Sequence, residues 1–126
     1  MKPLFRAKAL SGEWVQGNFI HSKRFEGCFN EYRIYDQDTG MEHDINPETV
    51  GQFTGLVDKN RNKIFGGDIV KDSDTLFVVE FGESEFLEYS GWGWILKSNK
   101  STFQISPDDS KVIEVIGNIH DNPELL

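Results

Sequence analysis

Short segments in which apolar and polar residues alternate recur along this chain, and runs rich in Gly, Asn, Asp and Ser separate them. Alternation with a period of two is the pattern of a strand that buries one of its faces. Turn signals at intervals of about 8–12 residues are typical of a small β-barrel or sandwich. We predict strands at residues 5–9, 14–20, 32–35, 41–45, 52–56, 63–65, 69–71, 76–81, 91–96, 102–105 and 112–119.

The residues between the predicted strands mark where the chain turns. Asn46 and Pro47 predict a capped single turn of helix, because Asn accepts hydrogen bonds from free backbone donors and Pro suits the first helical position. Residues 106–109 are expected to form a loop. Gly17 predicts a bulge and Gly117 a kink, since glycine inside a strand often marks an irregularity.

A subdomain boundary is expected near residue 50, directly after the capped turn. Residues 1–50 would form an N-terminal β-subdomain and residues 51–126 a second one, packed together as one compact unit. The second part has a tight turn before residues 68–70, then a long strand, an aromatic strand and a closing strand. That order is similar to SH3-like barrels. The predicted fold is therefore mainly β, a small N-terminal β-subdomain followed by an SH3-like small barrel, and such a fold alone implies no function.

Several motifs of the chain also match a known family. They read PETVGQFTGL at residues 47–56, DKN at 58–60, IF at 64–65, GDIV at 67–70, VIGNI at 115–119 and NPELL at 122–126. On these residues, and on the opening FRA at 5–7, the chain resembles the YopX family of small proteins encoded by bacteriophages and prophages. The resemblance implies a mainly β protein of phage origin that assembles with itself. It implies no established activity and no catalytic or binding residues.

Charge and cysteine content limit the classes of partner. With 13 Lys and Arg against 21 Asp and Glu, the formal net charge is −8, which repels phosphate backbones and disfavours nucleic acid as a partner. Cys28 is the single cysteine, so an internal disulfide is impossible. The first residues lack the apolar run of a signal peptide, and no apolar stretch has the length of a membrane span. We expect a protein of the bacterial host cytoplasm that does not enter a membrane.

The sequence offers no arrangement that indicates catalysis, a metal or a cofactor. His21, His43 and His120 lack paired ligand spacing, and Cys28 has no cysteine partner. The acidic residues from Asp36 to Asp44 favour a hairpin turn over a calcium loop, which would need a differently placed Gly and a terminal Glu. No phosphate-binding loop or nucleophile elbow is present. We therefore expect no enzyme activity, no catalytic residue, no metal and no cofactor.

Three groups of residues are candidates for an interaction surface. They are the aromatic group Phe19, Phe25, Phe29 and Tyr32, the basic turn Lys59, Arg61 and Lys63, and the rings Phe86 and Tyr89 in an acidic segment. The first group would form a symmetric contact between subunits, or else fill the seam between the two subdomains. The basic turn would touch a phosphate backbone, or else be a solvated turn. The acidic aromatic segment would dock a basic partner, order on self-association, or simply be solvated.

These features together predict a non-catalytic protein-interaction module that recognises a second copy of itself, as a homo-oligomer, or a host or phage protein. Two alternatives stay open. The first is an acidic decoy that mimics nucleic acid and occupies a host DNA-binding protein. The second is a weak nucleic-acid binder that uses the basic turn. We also expect Trp92 and Trp94 to share one face of their strand, with Phe77 or Val79 and Val115 nearby.

Overall fold

The computed structural model describes residues 3–22, 31–84 and 91–126. The predicted site residues Phe25, Phe29, Phe86 and Tyr89, and also Cys28, lie outside these ranges. The elements are β1 (Phe5–Lys8), β2 (Trp14–His21), β3 (Tyr32–Asp36), β4 (Met41–Asp44), β5 (Gly51–Val57), β6 (Lys63–Phe65), β7 (Asp68–Asp72), β8 (Thr75–Ser84), β9 (Gly91–Lys97), β10 (Thr102–Gln104), α1 (Pro107–Ser110) and β11 (Glu114–Asn118). The fold is mainly β, and its strands form antiparallel sheets. The chain divides into two compact units, Met1–Phe53 and Thr54–Leu126, and the division falls inside β5.

The first unit is an antiparallel sheet in the order β4-β3-β2-β1, continued by the start of β5. Alternate residues of these strands point to one face, where Ala7, Ile34 and Ile45 are fully buried. The turn that precedes β5 has the predicted cap. The Asn46 side chain accepts a hydrogen bond from the Glu48 N–H at 3.1 Å, and one 3₁₀ turn follows over Pro47–Thr49.

Gly17 lies in the middle of β2, where the neighbouring strand leaves no room for a side chain. A Cβ atom at this position would overlap the backbone carbonyl oxygen of Tyr35 on the neighbouring strand. The bulge predicted here stays a prediction, because the β1 ladder ends at Gly17, opposite Phe5, and the β3 ladder begins at Asn18, opposite Tyr35. The glycine permits a close approach of two backbones.

The second unit contains a five-stranded antiparallel sheet in the order β10-β9-β8-β7-β11, and β6 lies beside the end of β5. Its core consists of seven buried residues, which are Ile64, Val70, Phe77, Val79, Leu96, Ile105 and Ile113. Trp94 and Val115 are half-buried and pack against this cluster, as predicted for Trp94. The side chain of Trp92 lies outside the described part of the structure.

The predicted SH3-like barrel is not confirmed. In the described residues the five-stranded sheet stays open, with β10 at one edge and β11 at the other. The kink predicted at Gly117 is confirmed, because the register of β11 with β7 shifts between Val115 and Gly117. Closure of a barrel would need the two edge strands to pair. Since they do not pair, the sheet keeps two edges, and one of these edges adjoins the site described next.

Candidate functional site

The edge strand β10 presents backbone groups that β9 does not use. Within the described ranges it pairs with β9 alone, and Phe103 faces Leu96 in that register. Two backbone hydrogen bonds flank this pair. The Ser98 N–H donates to the Ser101 carbonyl oxygen at 2.8 Å, and the Ile105 N–H donates to the Trp94 carbonyl oxygen at 3.1 Å. Because hydrogen-bonded and non-hydrogen-bonded pairs alternate in an antiparallel ladder, Phe103 also bonds to β9. The N–H and C=O groups of Thr102 and Gln104 therefore point to the open side of the strand.

β10 also differs from the other edge strands in its lack of charge. Its three residues are Thr, Phe and Gln, whereas the edge strand β4 of the first unit carries Glu42, His43 and Asp44, and β11 carries Glu114. Charged side chains on an edge strand discourage pairing with a further strand. β10 is thus open to strand addition in a way that β4 and β11 are not, although it is short.

A groove lies beside β10, and we call it the Phe103 groove. Its volume is about 720 Å³, within the range of pockets that hold ligands. The Phe103 ring is 53% exposed and packs edge-on against the buried ring of Phe77, with the ring centres 5.8 Å apart. The groove is lined by Asp72, Phe77, Leu96, Phe103, Gln104, Ile105, Ser106, Pro107, Asp109 and Ile113. A side chain that enters this groove would meet a mainly apolar wall.

One wall of the groove is formed by the start of α1, where a loop was predicted. The Ser106 Oγ accepts a hydrogen bond from the Asp109 N–H at 3.2 Å, and the Asp109 carboxylate accepts one from the Ser106 N–H at 3.1 Å. This reciprocal capping box, together with Pro107 at the first helical position, stabilises a single helical turn. The predicted loop over residues 106–109 is wrong, because Asp109, three residues after Ser106, completes the capping box and a helical turn forms.

The charged groups of the groove are acidic. Asp109 is held by the capping box, whereas the half-buried Asp72 carboxylate has no hydrogen-bond or ion-pair partner among the described residues. No Lys, Arg or His is among the lining residues. An apolar wall with uncompensated carboxylates favours a ligand that carries both apolar and cationic groups.

The predicted basic turn is shaped by a buried acid. Asp58 is only 3% exposed, and its carboxylate accepts backbone hydrogen bonds from Asn60, Asn62 and Val115 at 2.8–2.9 Å. Burial raises the pKa of Asp58, but these backbone bonds and one from the Asn62 side chain lower it, and the net pKa lies below its ordinary value. The ionised carboxylate thus holds the turn in place, including Arg61 with its positive φ of 66°.

The three basic side chains of this turn are exposed but not equivalent. The Lys59 Nζ lies 3.6 Å from the Glu114 carboxylate, so its charge is partly balanced. Arg61 and Lys63 have no acidic partner among the described residues. The structure therefore leaves two unbalanced cations at the predicted basic turn.

The predicted N-terminal aromatic group is brought together only in part. Phe19 and Tyr32 are half-buried and pack against the core of the first unit. Their ring centres are 6.3 Å apart, Phe5 lies 5.7 Å from Phe19, and His21 stacks on Tyr32 at 4.3 Å. These rings form a row on the sheet, in which Phe5, Phe19 and Tyr32 contact the core and His21 is exposed.

Phe103, Asp72 and Asp109 are not among the site residues predicted from the sequence. Phe103 and Ile105 alternate with polar residues, and this pattern predicts two buried side chains on one strand face. Only Ile105 is buried, because β10 is the last strand of its sheet and nothing in the described residues covers Phe103. The lack of charge on residues 102–105 was the one signal in the sequence that could have identified this edge.

The described residues hold neither a group of metal ligands nor a helix long and apolar enough for a membrane span. In residues 3–22, 31–84 and 91–126, no three His, Cys, Asp or Glu side chains are grouped as metal ligands would be. The acidic run after β3 forms the predicted hairpin turn, where the Asp38 N–H donates to the Asp36 carboxylate at 2.9 Å. The described residues include no helix with the length and apolar character of a membrane span.

Comparison with known proteins places the chain among relatives without assigning a reaction. A family model described as YopX protein matches residues 4–126. No curated protein matches the chain. A solved structure, the crystal structure of protein EF1440 from Enterococcus faecalis, is similar with a TM-score of 0.53 and 24% sequence identity, over 100% of this chain and 99% of that one. At this level of identity the likeness is one of fold alone.

Proposed function

This chain belongs to the YopX family, and on that premise we propose that it is a non-catalytic protein-interaction module. In this proposal a partner protein chain binds along the open side of β10 and inserts side chains into the Phe103 groove. The partner would be a second copy of the chain or a host or phage protein. The proposal places the module in the cytoplasm of a bacterial host, as a phage- or prophage-encoded protein.

The observation that carries the proposal is the coincidence of an uncharged edge strand with an apolar groove. Thr102 and Gln104 direct backbone donors and acceptors outward, so an added strand gains main-chain hydrogen bonds there. Next to them, Phe103 exposes 53% of its surface above the buried residues of the groove. Main-chain pairing supplies affinity, and the groove with the Asp72 carboxylate supplies selectivity for apolar and cationic side chains.

The proposal is tested by photo-crosslinking in living bacteria. A photoreactive phenylalanine analogue replaces Phe103 in one variant and Phe81 in a control variant. Phe81 is a suitable control because it is 60% exposed on the same sheet but does not line the groove. We expect covalent protein adducts at position 103 and few at position 81. The absence of adducts at 103, or equal labelling at both positions, would contradict the proposal.

The second candidate function is weak nucleic-acid binding through the basic turn, and the two unbalanced cations Arg61 and Lys63 favour it. Binding of this kind falls steeply with salt, because phosphate contacts release counterions. If it occurs, Arg61→Gln with Lys63→Gln should reduce the affinity for single-stranded oligonucleotides and flatten the salt dependence. The acidic decoy predicts instead a captured DNA-binding protein whose binding is salt-sensitive and unaffected by Phe103→Asp.

A further inference from the structure

We propose that the segment bound along β10 is a basic, amphipathic stretch of a different protein, in which Lys or Arg stands two residues from an apolar side chain. This inference rests on the proposed function, since it names the chemistry of the chain that the module binds. The apolar side chain would enter the Phe103 groove, and the cation would pair with the Asp72 carboxylate.

Asp72 is an acid on the core-facing side of its strand. It lies two residues after the fully buried Val70 on β7, and alternate residues of a strand share a face. Asp72 is half-buried and lines the groove, and its side chain has no hydrogen-bond or ion-pair partner among the described residues. A carboxylate that is partly removed from water without a partner does not stabilise the fold. A cation delivered by a ligand would supply that partner.

The second acid of the groove is already engaged. The Asp109 carboxylate accepts hydrogen bonds from the Ser106 N–H at 3.1 Å and from the Ser106 Oγ at 2.8 Å. No Lys, Arg or His is among the lining residues. An anionic ligand would therefore meet two carboxylates and no cation, whereas a cationic ligand finds Asp72 open.

The apolar part of the groove is formed before a partner arrives. Phe77, Leu96 and Ile113 line it and belong to the buried core cluster of the second unit. The capping box of Ser106 and Asp109 holds the start of α1 in place. A wall that is ordered in advance loses little conformational freedom on binding, and this lowers the cost of association.

The strand period gives the spacing of the two side chains in the partner. Phe103 bonds to β9, so the residue of an added strand opposite Phe103 is in a non-hydrogen-bonded pair with it, where side chains are close. That side chain lies on the face of the Phe103 ring and enters the groove. The next partner residues on this face are two positions away. Lys and Arg can lay their apolar stems on the groove wall and keep the charge beside a carboxylate.

The charge of the whole chain favours a basic partner over a second copy. The formal net charge is −8, so two copies repel each other, whereas a basic segment is attracted from a distance. This long-range attraction does not depend on any one carboxylate. A test of the groove must therefore separate Asp72 from the other acids of the chain.

The first experiment titrates the ¹⁵N-labelled chain with synthetic nine-residue peptides and follows its backbone NMR signals. Peptide TTKTFTKTT has a lysine two residues from Phe on each side, so one lysine approaches Asp72 in either strand direction. Its isomer TTTKFKTTT has the same composition, but its lysines lie on the opposite strand face from Phe. We expect TTKTFTKTT to bind about fivefold more tightly, as for one partly exposed ion pair. It should also shift the signals of Thr102, Phe103 and Gln104.

Asp72→Asn removes the proposed partner of the cation. It should abolish the preference between the two isomers without lowering the melting temperature, because the Asp72 side chain makes no hydrogen bond or ion pair with the described residues. Asp74→Asn is the matched control, since it removes the same charge from an exposed turn position two residues away and should keep the preference. Asp72→Lys should make the acidic peptide TTETFTETT the tighter ligand.

Four outcomes overturn the inference. The first is equal affinity of the two isomers for the wild-type chain, or no binding of TTKTFTKTT at millimolar concentration. The second is an equal effect of Asp72→Asn and Asp74→Asn, which would indicate general attraction to an acidic chain. The third is that butylammonium shifts the groove signals as strongly as the peptide, which would assign the groove to a small organic cation. The fourth is a dimer without peptide that Phe103→Asp dissociates, which would assign the groove to a second copy.

Crosslinking in living bacteria at position 103 separates this inference from the proposed function. Adducts whose yield falls with Asp72→Asn but not with Asp74→Asn support both. Adducts that Asp72→Asn leaves unchanged overturn the basic segment and leave the interaction module standing. The absence of adducts at position 103 overturns both, since the inference names the partner of that site.

Discussion

The Asp58 carboxylate accepts a 2.9 Å hydrogen bond from the backbone N–H of Val115, which lies 57 residues further along the chain. The other oxygen of the same carboxylate accepts bonds from Asn60 and Asn62. One buried acid therefore ties the turn after β5 to the start of β11. Glu114 beside Val115 also approaches Lys59 of that turn, at 3.6 Å.

Asp58→Asn should destabilise the chain at neutral pH. An amide can still accept at one oxygen, but its NH₂ group cannot accept from Val115, so a buried N–H loses its partner. We expect a loss of about 1–3 kcal/mol in the free energy of unfolding, measured by urea denaturation. Asp74→Asn is the control, because it makes the same change on an exposed turn and should alter stability little. Equal stability of the two variants would contradict the structural role of Asp58.

The contribution of Asp58 should depend on pH in a defined direction. Its folded-state pKa lies below the ordinary value of 3.8, so the unfolded chain takes up the proton first as the pH falls. The stabilisation is present above the unfolded-state pKa and is lost as the pH falls through the folded-state pKa. The stability difference between wild type and Asp58→Asn should therefore shrink below pH 3.8. A difference that grows on acidification would contradict the lowered pKa.

Trp94→Ala should destabilise the second unit. Trp94 packs on the core cluster, and its ring contacts Phe81 edge-on with centres 5.4 Å apart. Loss of a large aromatic from a packed site costs about 3–5 kcal/mol, and a half-buried ring belongs at the lower end. Poor expression or early thermal unfolding is the expected result. Phe103→Ala is the comparison, because loss of the exposed Phe103 ring should reduce the stability less. An unchanged melting temperature of Trp94→Ala would indicate that the Trp94 ring is not part of the core.

Gly17→Ala should disrupt the first unit. The added methyl group would overlap the Tyr35 carbonyl oxygen, so β2 and β3 must separate to admit it. Overpacking of this kind costs about 1–3 kcal/mol. Gly93→Ala is the matched control within a strand, because its nearest neighbour to a new Cβ is the Gln104 side chain at 3.7 Å. Circular dichroism melting compares the two, and similar melting temperatures would refute the close approach at Gly17.

Protein purified without a chelator should contain no stoichiometric metal. The histidines lack ligand spacing in the sequence, and the described residues hold no group of three metal-ligating side chains. Elemental analysis by mass spectrometry measures this directly. One equivalent of zinc or of another transition metal would contradict the expectation and direct attention to Cys28 and its surroundings.

The elements that the sequence predicted well are those whose signals lie within a few residues of each other. Alternation of apolar and polar side chains located the strands, and Asn46 with Pro47 located the capped turn. The family motifs predicted the YopX family. The capping box of Ser106 and Asp109 was also local and could have been recognised from its spacing. Gly17 was correctly marked as special, but its reason lies on another strand.

The tertiary structure alone decided the features that depend on which strands are neighbours. Phe103 and Ile105 have the same local pattern, yet Phe103 is exposed and Ile105 is buried because β10 ends its sheet. In the sequence Asp58 has the pattern of an ordinary turn residue. Only the position of β11 places the Val115 N–H within hydrogen-bond distance of its carboxylate. The open sheet, in place of the predicted barrel, likewise depends on pairing between distant segments. Side-chain alternation reports which residues share a strand face, whereas edge position and the burial of an acid depend on contacts that a local pattern does not encode.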